Sequence, residues 1–344
     1  MGNETRRAFL HWMAIQMGAV VGGSLLASCG RQESRSLQTT ALPIAHPLEP
    51  TEVEPTGAPP QVEKATPEPT ATPTSHPHLA VARGGDAEAI TQAAIAALGG
   101  IERFVKSGDD VIIKPNICVN YRTPEYAATT NPTVVATLVS LCLEAGARRV
   151  RVMDTPFPGI TADSAYAVSE IDQAVEAAGG EMEVMSPVKF VKTPIPGGQA
   201  ITEWEVYQDV LDTNVLINVP IAKHHNLTRL SLGIKNLLGV ITKPNQMHRN
   251  IGQRAADLAS LVRPTLTVVD AVRIMTTGGP TGGSLNYVQQ ADTVIASHDF
   301  VAADAYAATL FDLTGADIAY VKAAADMGLG TLDLGSIDVE EIDA

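Results

Sequence analysis

The sequence predicts an α/β protein, with a mostly parallel or mixed sheet flanked by helices in one lobe or two, after a disordered N-terminal tether. Short, wholly apolar runs such as Val111-Ile112-Ile113 and Val215-Leu216-Ile217 read as strands buried on both faces. They alternate along the chain with segments of helical periodicity, the strand–helix–strand pattern of a parallel sheet. The tether shows as a Pro, Thr, Glu and Ser composition too poor in apolar groups to offset its ordering entropy.

Residues 1–29 read as an export signal. Thr5-Arg6-Arg7-Ala8-Phe9-Leu10 is similar to a twin-arginine signal, and the apolar stretch after it is too short and too weakly hydrophobic for a spanning helix. Leu26-Ala27-Ser28-Cys29 resembles the lipobox at which Cys29 would be acylated. The expectation is an extracytoplasmic protein, lipid-anchored to the bacterial cell membrane after twin-arginine or general secretion export. Residues 30–78 form the tether, with His46, His76 and His78 as solvated linker residues.

The α/β body covers residues 79–344. Asp86 caps a helix running to Val105, and Val111–Ile113 is a strand that ends at Lys114-Pro115-Asn116. Asn131 and Pro132 open a helix closed by Gly146; Arg149–Met153 is a strand and Ala162–Ala178 a helix. Glu181–Tyr207 holds short antiparallel strands, and Val215–Val219 is a buried strand leading into Pro220-Ile221-Ala222-Lys223-His224-His225. Leu227–Val240 has helical spacing and Ile251–Val262 is a helix. Leu266–Val269 is a strand ending at Asp270, Gly278–Gly283 a glycine-rich loop, Thr293–Ala296 a strand and Phe300–Leu313 a helix.

Composition excludes several functions. With 24 basic and 38 acidic residues the net charge is −14, which repels a phosphate backbone and removes nucleic acid as a partner. Aromatics at 4% leave no stacking platform for bases. Three cysteines cannot supply the four thiolates of an iron–sulfur cluster, so none is expected from this chain. Cys118 and Cys142 sit in apolar surroundings and read as two buried thiols, with pairing left open.

Chemistry concentrates where strands end. His224, His225 and His248 fall in one stretch with Lys223, Lys235, Asn236, Lys243 and Arg249. Neutral imidazoles gathered locally suit a metal or acid–base site, so His248, His225 and His224 are candidate metal ligands and His225 a candidate catalytic group. Lys235 interrupts the apolar run Leu230–Val240, a setting that depresses an ammonium's pKa and suits a nucleophilic or cofactor-bearing lysine. Lys114 follows a wholly apolar strand and is a further catalytic candidate. Asn116, Lys223, Asn236 and Arg249, with the backbone of Gly278 and Gly279, are candidates to hold an anionic substrate. The glycine loop fits neither dinucleotide nor nucleoside-triphosphate spacing, and no Gly-x-Ser-x-Gly or His-Glu-x-x-His occurs.

Val111–Asn116, Thr130-Asn131-Pro132, Asn218–Pro220 with Lys223 and His225, Leu232-Gly233-Ile234-Lys235-Asn236-Leu237-Leu238-Gly239 and His248-Arg249 closely resemble the domain-of-unknown-function 362 family. That resemblance names no reaction. A more distant similarity, to the amino-terminal domain of nickel-pincer lactate racemases, implies His225 as a catalytic histidine, Lys235 as a cofactor-bearing lysine and His248 as a nickel ligand. The cofactor expected is thus a transition metal or a lysine-linked group.

Two functions follow as expectations. One is an extracytoplasmic metal- or cofactor-dependent enzyme acting on a small anionic substrate. The other is a lipoprotein that binds a solute or metal without catalysis.

Overall fold

Strands whose every residue is apolar have no face to show to water, so they belong at the centre of a sheet covered on both sides. The computed structural model, which describes residues 76–344, has this arrangement. The export signal, the tether to residue 75 and Cys29 lie outside the described residues.

In chain order the elements are β1 (Leu79–Arg83), α1 (Ala87–Ala97), β2 (Asp110–Lys114), α2 (Pro132–Glu144), β3 (Arg149–Val152), α3 (Ala162–Val168), α4 (Ile171–Ala177) and β4 (Glu181–Met182). They continue with β5 (Phe190–Pro194), β6 (Glu203–Tyr207), α5 (Gln208–Asp212), β7 (Val215–Asn218), β8 (Ile221–His225), β9 (Arg229–Ser231), α6 (Gly233–Asn236) and α7 (Ile251–Leu261). The last are β10 (Leu266–Met275), β11 (Val288–Ser297), α8 (Phe300–Thr309), α9 (Ala319–Asp326) and β12 (Val339–Asp343).

Ten strands form one mixed sheet, ordered β12-β1-β11-β10-β7-β2-β3-β4, with β8 branching from β10 and β9 pairing with β8. The run β10-β7-β2-β3-β4 is parallel, whereas β11 is antiparallel to both its neighbours. β5 and β6 make a separate hairpin. The expected α/β class holds.

Side chains alternate along a strand, so each central strand feeds two cores. Val111, Ile113 and Val150 pack beneath Ile90, Ile95, Val135 and Leu138 of α1 and α2. On the opposite face Ile112, Leu216 and Val269 meet Leu258, Val301 and Tyr320 of α7, α8 and α9. Each fully buried side chain of this size contributes about 1.5–3 kcal/mol. The Asp86 and Asn131 side chains cap α1 and α2 as expected, accepting from the Glu88 and Thr133 amides.

Several boundaries differ from the sequence reading. The helix from Asp86 stops at Ala97 because Gly99 and Gly100 take φ values of 95° and 82°, and only a short 3-10 turn follows at Ile101–Arg103. The helix expected over 162–178 breaks at Glu170, whose φ is 60°. Leu227–Val240 is not one helix: β9 pairs with the free edge of β8, and only the short α6 and a 3-10 turn follow. Strand β10 runs past Asp270 to Met275, and the last long helix ends at Thr309. His78 is no linker residue. Its carbonyl accepts the Ser297 hydroxyl at 2.7 Å and its ring nitrogen lies 3.3 Å from Asp299.

Cys118 and Cys142 are both free and buried, in separate apolar clusters. Burial pushes the Cys142 thiol up to about 12.

Candidate functional site

Parallel β2, β3 and β7 end side by side; β2 and β7 end on the polar Lys114 and Asn218, and Asp154 lies two residues past the end of β3. Lys114 Nζ lies 2.6 Å from Asp154 Oδ1, with both side chains almost wholly withdrawn from water. Burial pulls the ammonium's pKa down and pushes the carboxyl's up, while their mutual attraction opposes both. Asp154 also accepts the Ile117 amide at 3.0 Å. A Cβ on Gly239 would stand 1.9 Å from Asp154 Oδ1 and 2.8 Å from Lys114 Nζ, so the glycine of Leu237-Leu238-Gly239 lets the backbone close over this pair. Lys114 is thereby engaged inside the protein.

Beside it runs a chain of carboxamides. Asn218 Nδ2 donates to the Gly233 carbonyl at 2.9 Å, Asn236 Nδ2 to Asn218 Oδ1 at 2.9 Å, and Asn116 Nδ2 to Asn236 Oδ1 at 3.0 Å. Lys223 Nζ completes it, donating to Asn116 Oδ1 at 2.9 Å, the Ala128 carbonyl at 2.5 Å and Cys118 Sγ at 3.2 Å. Thr130 takes the Asn116 amide on its hydroxyl and donates that hydroxyl to the Val219 carbonyl. The buried Asp270 accepts the Asn131 and Val272 amides, and burial raises it to about 6. Thr130-Asn131-Pro132 is therefore a brace. It locks the end of β2 to that of β7.

The same logic positions Lys235. Asp304, buried in α8, accepts the amides of Gly233 and Ile234 at 2.6 and 2.9 Å, holding the first turn of α6. A side chain at Gly233 would meet Asp304 Oδ1 at 2.7 Å. One residue past this anchored turn, Lys235 lines a cavity of about 20 Å³ shared with Asn116, Pro220, Ile221, Ser231, Leu232 and Asn236. That is room for about one water molecule. Among the described residues nothing hydrogen-bonds its ammonium. Burial first, and then the charge of Lys223, bring it down to about 8; Cys118 opposes this, and Lys114 adds a smaller lowering.

Neighbouring strand residues face opposite ways, so His224 and His225 cannot converge. His225 shares a face with Lys223 and with Ser231, which stands opposite Lys223 in the β8–β9 ladder. His225 Nδ1 accepts the Leu227 amide and His224 Nδ1 the Gly279 amide, each at 3.1 Å. A ring that accepts an amide at Nδ1 in its neutral form carries its proton on Nε2, which closes that nitrogen to a metal. His225 is brought down to about 3 by burial and then by Lys235, Lys223, His248 and His224. It is a neutral donor, not a base near neutral pH. His248 and Arg249 lie exposed in a 3-10 turn, and burial and Lys235 lower the His248 pKa.

The expected ligand set His224, His225 and His248 is not assembled. Among the described residues no three histidine, cysteine, aspartate or glutamate side chains are placed to hold a metal. With those tautomers and no third ligand beside them, the residues present do not fit a lysine-bound nickel cofactor. Gly278 and Gly279 do not line the Lys235 cavity. A Cβ on Gly279 would stand 1.8 Å from the His224 carbonyl, so this glycine brings the loop against β8.

Sequence reasoning missed Ser231, Asp154 and Asp304. A lone carboxylate in the apolar run Val301-Ala302-Ala303-Asp304-Ala305 was the available signal for the last. Ser231 gave none, because Leu230-Ser231-Leu232 suits an amphipathic helix equally well.

The chain is thus an α/β protein in which Lys235, half-buried and without a hydrogen-bond partner among the described residues, stands beside the carboxamides of Asn116 and Asn236. The chain belongs to the family described as Domain of unknown function (DUF362), whose profile matches residues 111–309. It is 27% identical over 249 residues to a thylakoid-associated protein of Synechocystis sp., a match covering 67% of this chain and 72% of that one. Among solved structures it is similar to the lactate racemase apoprotein of Thermoanaerobacterium thermosaccharolyticum, with 12% identity, a TM-score of 0.42 and coverage of 64% of this chain and 54% of the other. A Thermotoga maritima protein matches at 12% identity and a TM-score of 0.34, over 65% of this chain and 59% of its own. The chain thus spans little more than half the length of these two structures.

Proposed function

We propose that the protein is an enzyme acting on a small anionic carbonyl compound, with the Lys235 amine as nucleophile. The observation that carries this reading is the unpartnered, depressed ammonium. Lowering an amine from 10.5 to about 8 raises its neutral fraction at pH 7 from roughly one in three thousand to roughly one in ten. A neutral amine adds to a carbonyl carbon; the new N–C bond becomes an imine as the C=O bond breaks and the oxygen leaves as water with both amine protons. His225, with its proton on Nε2, suits hydrogen bonding to the carbonyl or departing oxygen. An anionic substrate is supported by the electrostatics at His225, whose strongest charged neighbours are the ammonium groups of Lys235 and Lys223.

We place this chemistry outside the cytoplasm, on a protein held at the membrane by lipid on Cys29. This location is supported by Arg6-Arg7 and Leu26–Cys29. The experiment is capture with cyanoborohydride in the presence of glyoxylate, followed by peptide mass mapping. Carboxymethylation confined to Lys235 and rising through pH 8 is expected. Modification spread over surface lysines, or equal in Lys235→Met, would sink the proposal.

The second reading is reversible binding of a small solute without catalysis, favoured by a cavity whose lining residues are neutral or cationic. It predicts saturable oxalate binding with no capture at Lys235.

A further inference from the structure

We infer that Ser231 is a ligand-contacting residue, and that its hydroxyl and Lys235 form a subsite for one carboxylate group of the substrate. The inference deepens the Lys235 reading and rests on it for the reacting carbonyl.

Ser231 is 7% exposed, and its Oγ is buried with no hydrogen-bond partner among the described residues. Buried hydroxyls in native proteins are almost always paired, so one left open at a cavity marks the place of a missing acceptor. The contrast with its neighbours is local. Thr228 Oγ1 donates to the Leu230 carbonyl, and Tyr320 Oη to that same carbonyl, so this hairpin otherwise satisfies its polar groups. Thr129 and Thr267 also carry open hydroxyls, but neither lines this cavity.

The carboxamides that line the cavity, and Lys223 next to it, are largely engaged. Asn116 and Asn236 are bonded to each other, and Asn236 also to Asn218; Lys223, directly across the ladder from Ser231, is held by Asn116, Cys118 and Ala128. Three side-chain donors remain, the Ser231 hydroxyl, the Lys235 nitrogen and the second N–H of the Asn116 carboxamide. O–H and N–H donors without an acceptor call for an oxyanion. No Asp or Glu lines the space to compete for it. A carboxylate adjacent to the reacting carbonyl would take the Ser231 proton donor while its carbonyl carbon meets Lys235. The substrate class is therefore a short 2-oxo acid.

The test compares cyanoborohydride capture at Lys235 of glyoxylate and of glycolaldehyde, which replaces the carboxylate with a hydroxymethyl group, in wild type and Ser231→Ala. Calorimetric titration with oxalate, which forms no imine, runs alongside, and thermal melting checks that the variant is folded. Wild type should capture glyoxylate preferentially. Ser231→Ala should lose roughly tenfold in both glyoxylate capture and oxalate affinity, with glycolaldehyde capture unchanged. Equal glyoxylate capture and oxalate affinity in variant and wild type overturn the subsite and leave the Lys235 reading standing. Oxalate binding that weakens in Ser231→Ala, with no capture at Lys235, upholds the subsite and removes the nucleophile. A wild type that neither captures glyoxylate nor binds oxalate overturns both.

Discussion

The carboxylate of Asp304 accepts the Gly233 and Ile234 amides at 2.6 and 2.9 Å, so a side chain from one helix forms the N-terminal anchor of another that carries Lys235. Burial raises this carboxyl to about 7. A folded-state pKa above the unfolded value of 3.8 means its contribution to stability is full below pH 3.8 and is lost as pH rises through 7. Urea unfolding of Asp304→Asn should show a flatter pH dependence than wild type across that window, and a cost of about 1–2 kcal/mol where the carboxamide faces an amide N–H. An unchanged slope would assign the dependence elsewhere, with Asp270 the next carboxyl to examine.

Lys114 and Asp154 form a buried pair whose disruption differs from its replacement. Lys114→Met strands a buried carboxylate and should cost about 3–5 kcal/mol in chemical denaturation. Adding Asp154→Leu should recover much of that loss, since an apolar pair of similar volume needs no compensation. A double variant as unstable as the single one would contradict this account.

Lys235 is expected to cost stability at neutral pH. Its pKa is depressed from 10.5 to about 8, so its contribution is present above 10.5 and lost as pH falls through 8. Lys235→Met should therefore be more stable than wild type by about 1–3 kcal/mol at pH 7, with the gain shrinking towards pH 10. Melting curves at pH 7 and pH 10 read this directly, and a variant less stable than wild type at pH 7 would show the ammonium to be partnered.

The proposed membrane attachment through Cys29 has its own test. Cys29→Ala should move the protein from the membrane to the soluble exported fraction, and paired lysines in place of Arg6 and Arg7 should hold back export if the twin-arginine route is used. Fractionation with immunodetection distinguishes these from a protein that stays membrane-bound without Cys29.

Much of this site was legible residue by residue. Lys114 and Lys235 stood out because a lysine inside an apolar run must find a partner, a cleft or a depressed pKa. Which of these each one found was not legible. Asp154 reaches Lys114 from just past the end of the neighbouring strand β3, whereas Lys235 meets no acceptor among the described residues. The histidine cluster was equally visible, yet its chemistry is decided by the amides of Leu227 and Gly279, which fix both ring tautomers. Helical spacing over Leu227–Val240 misled because the free edge of β8 outweighs a local preference by recruiting Arg229–Ser231 as a strand.

The chain by itself determined the alternation of apolar strands and helices, the caps at Asp86 and Asn131, and the gathering of lysines and histidines at strand ends, because these depend on periodicity and near neighbours. Tertiary structure alone decided which lysine is paired, which imidazole can accept a proton, and that the Ser231 hydroxyl is left open in the Lys235 cavity. Those outcomes depend on which distant acceptors the folded chain brings within hydrogen-bond reach, and no local pattern encodes that distance.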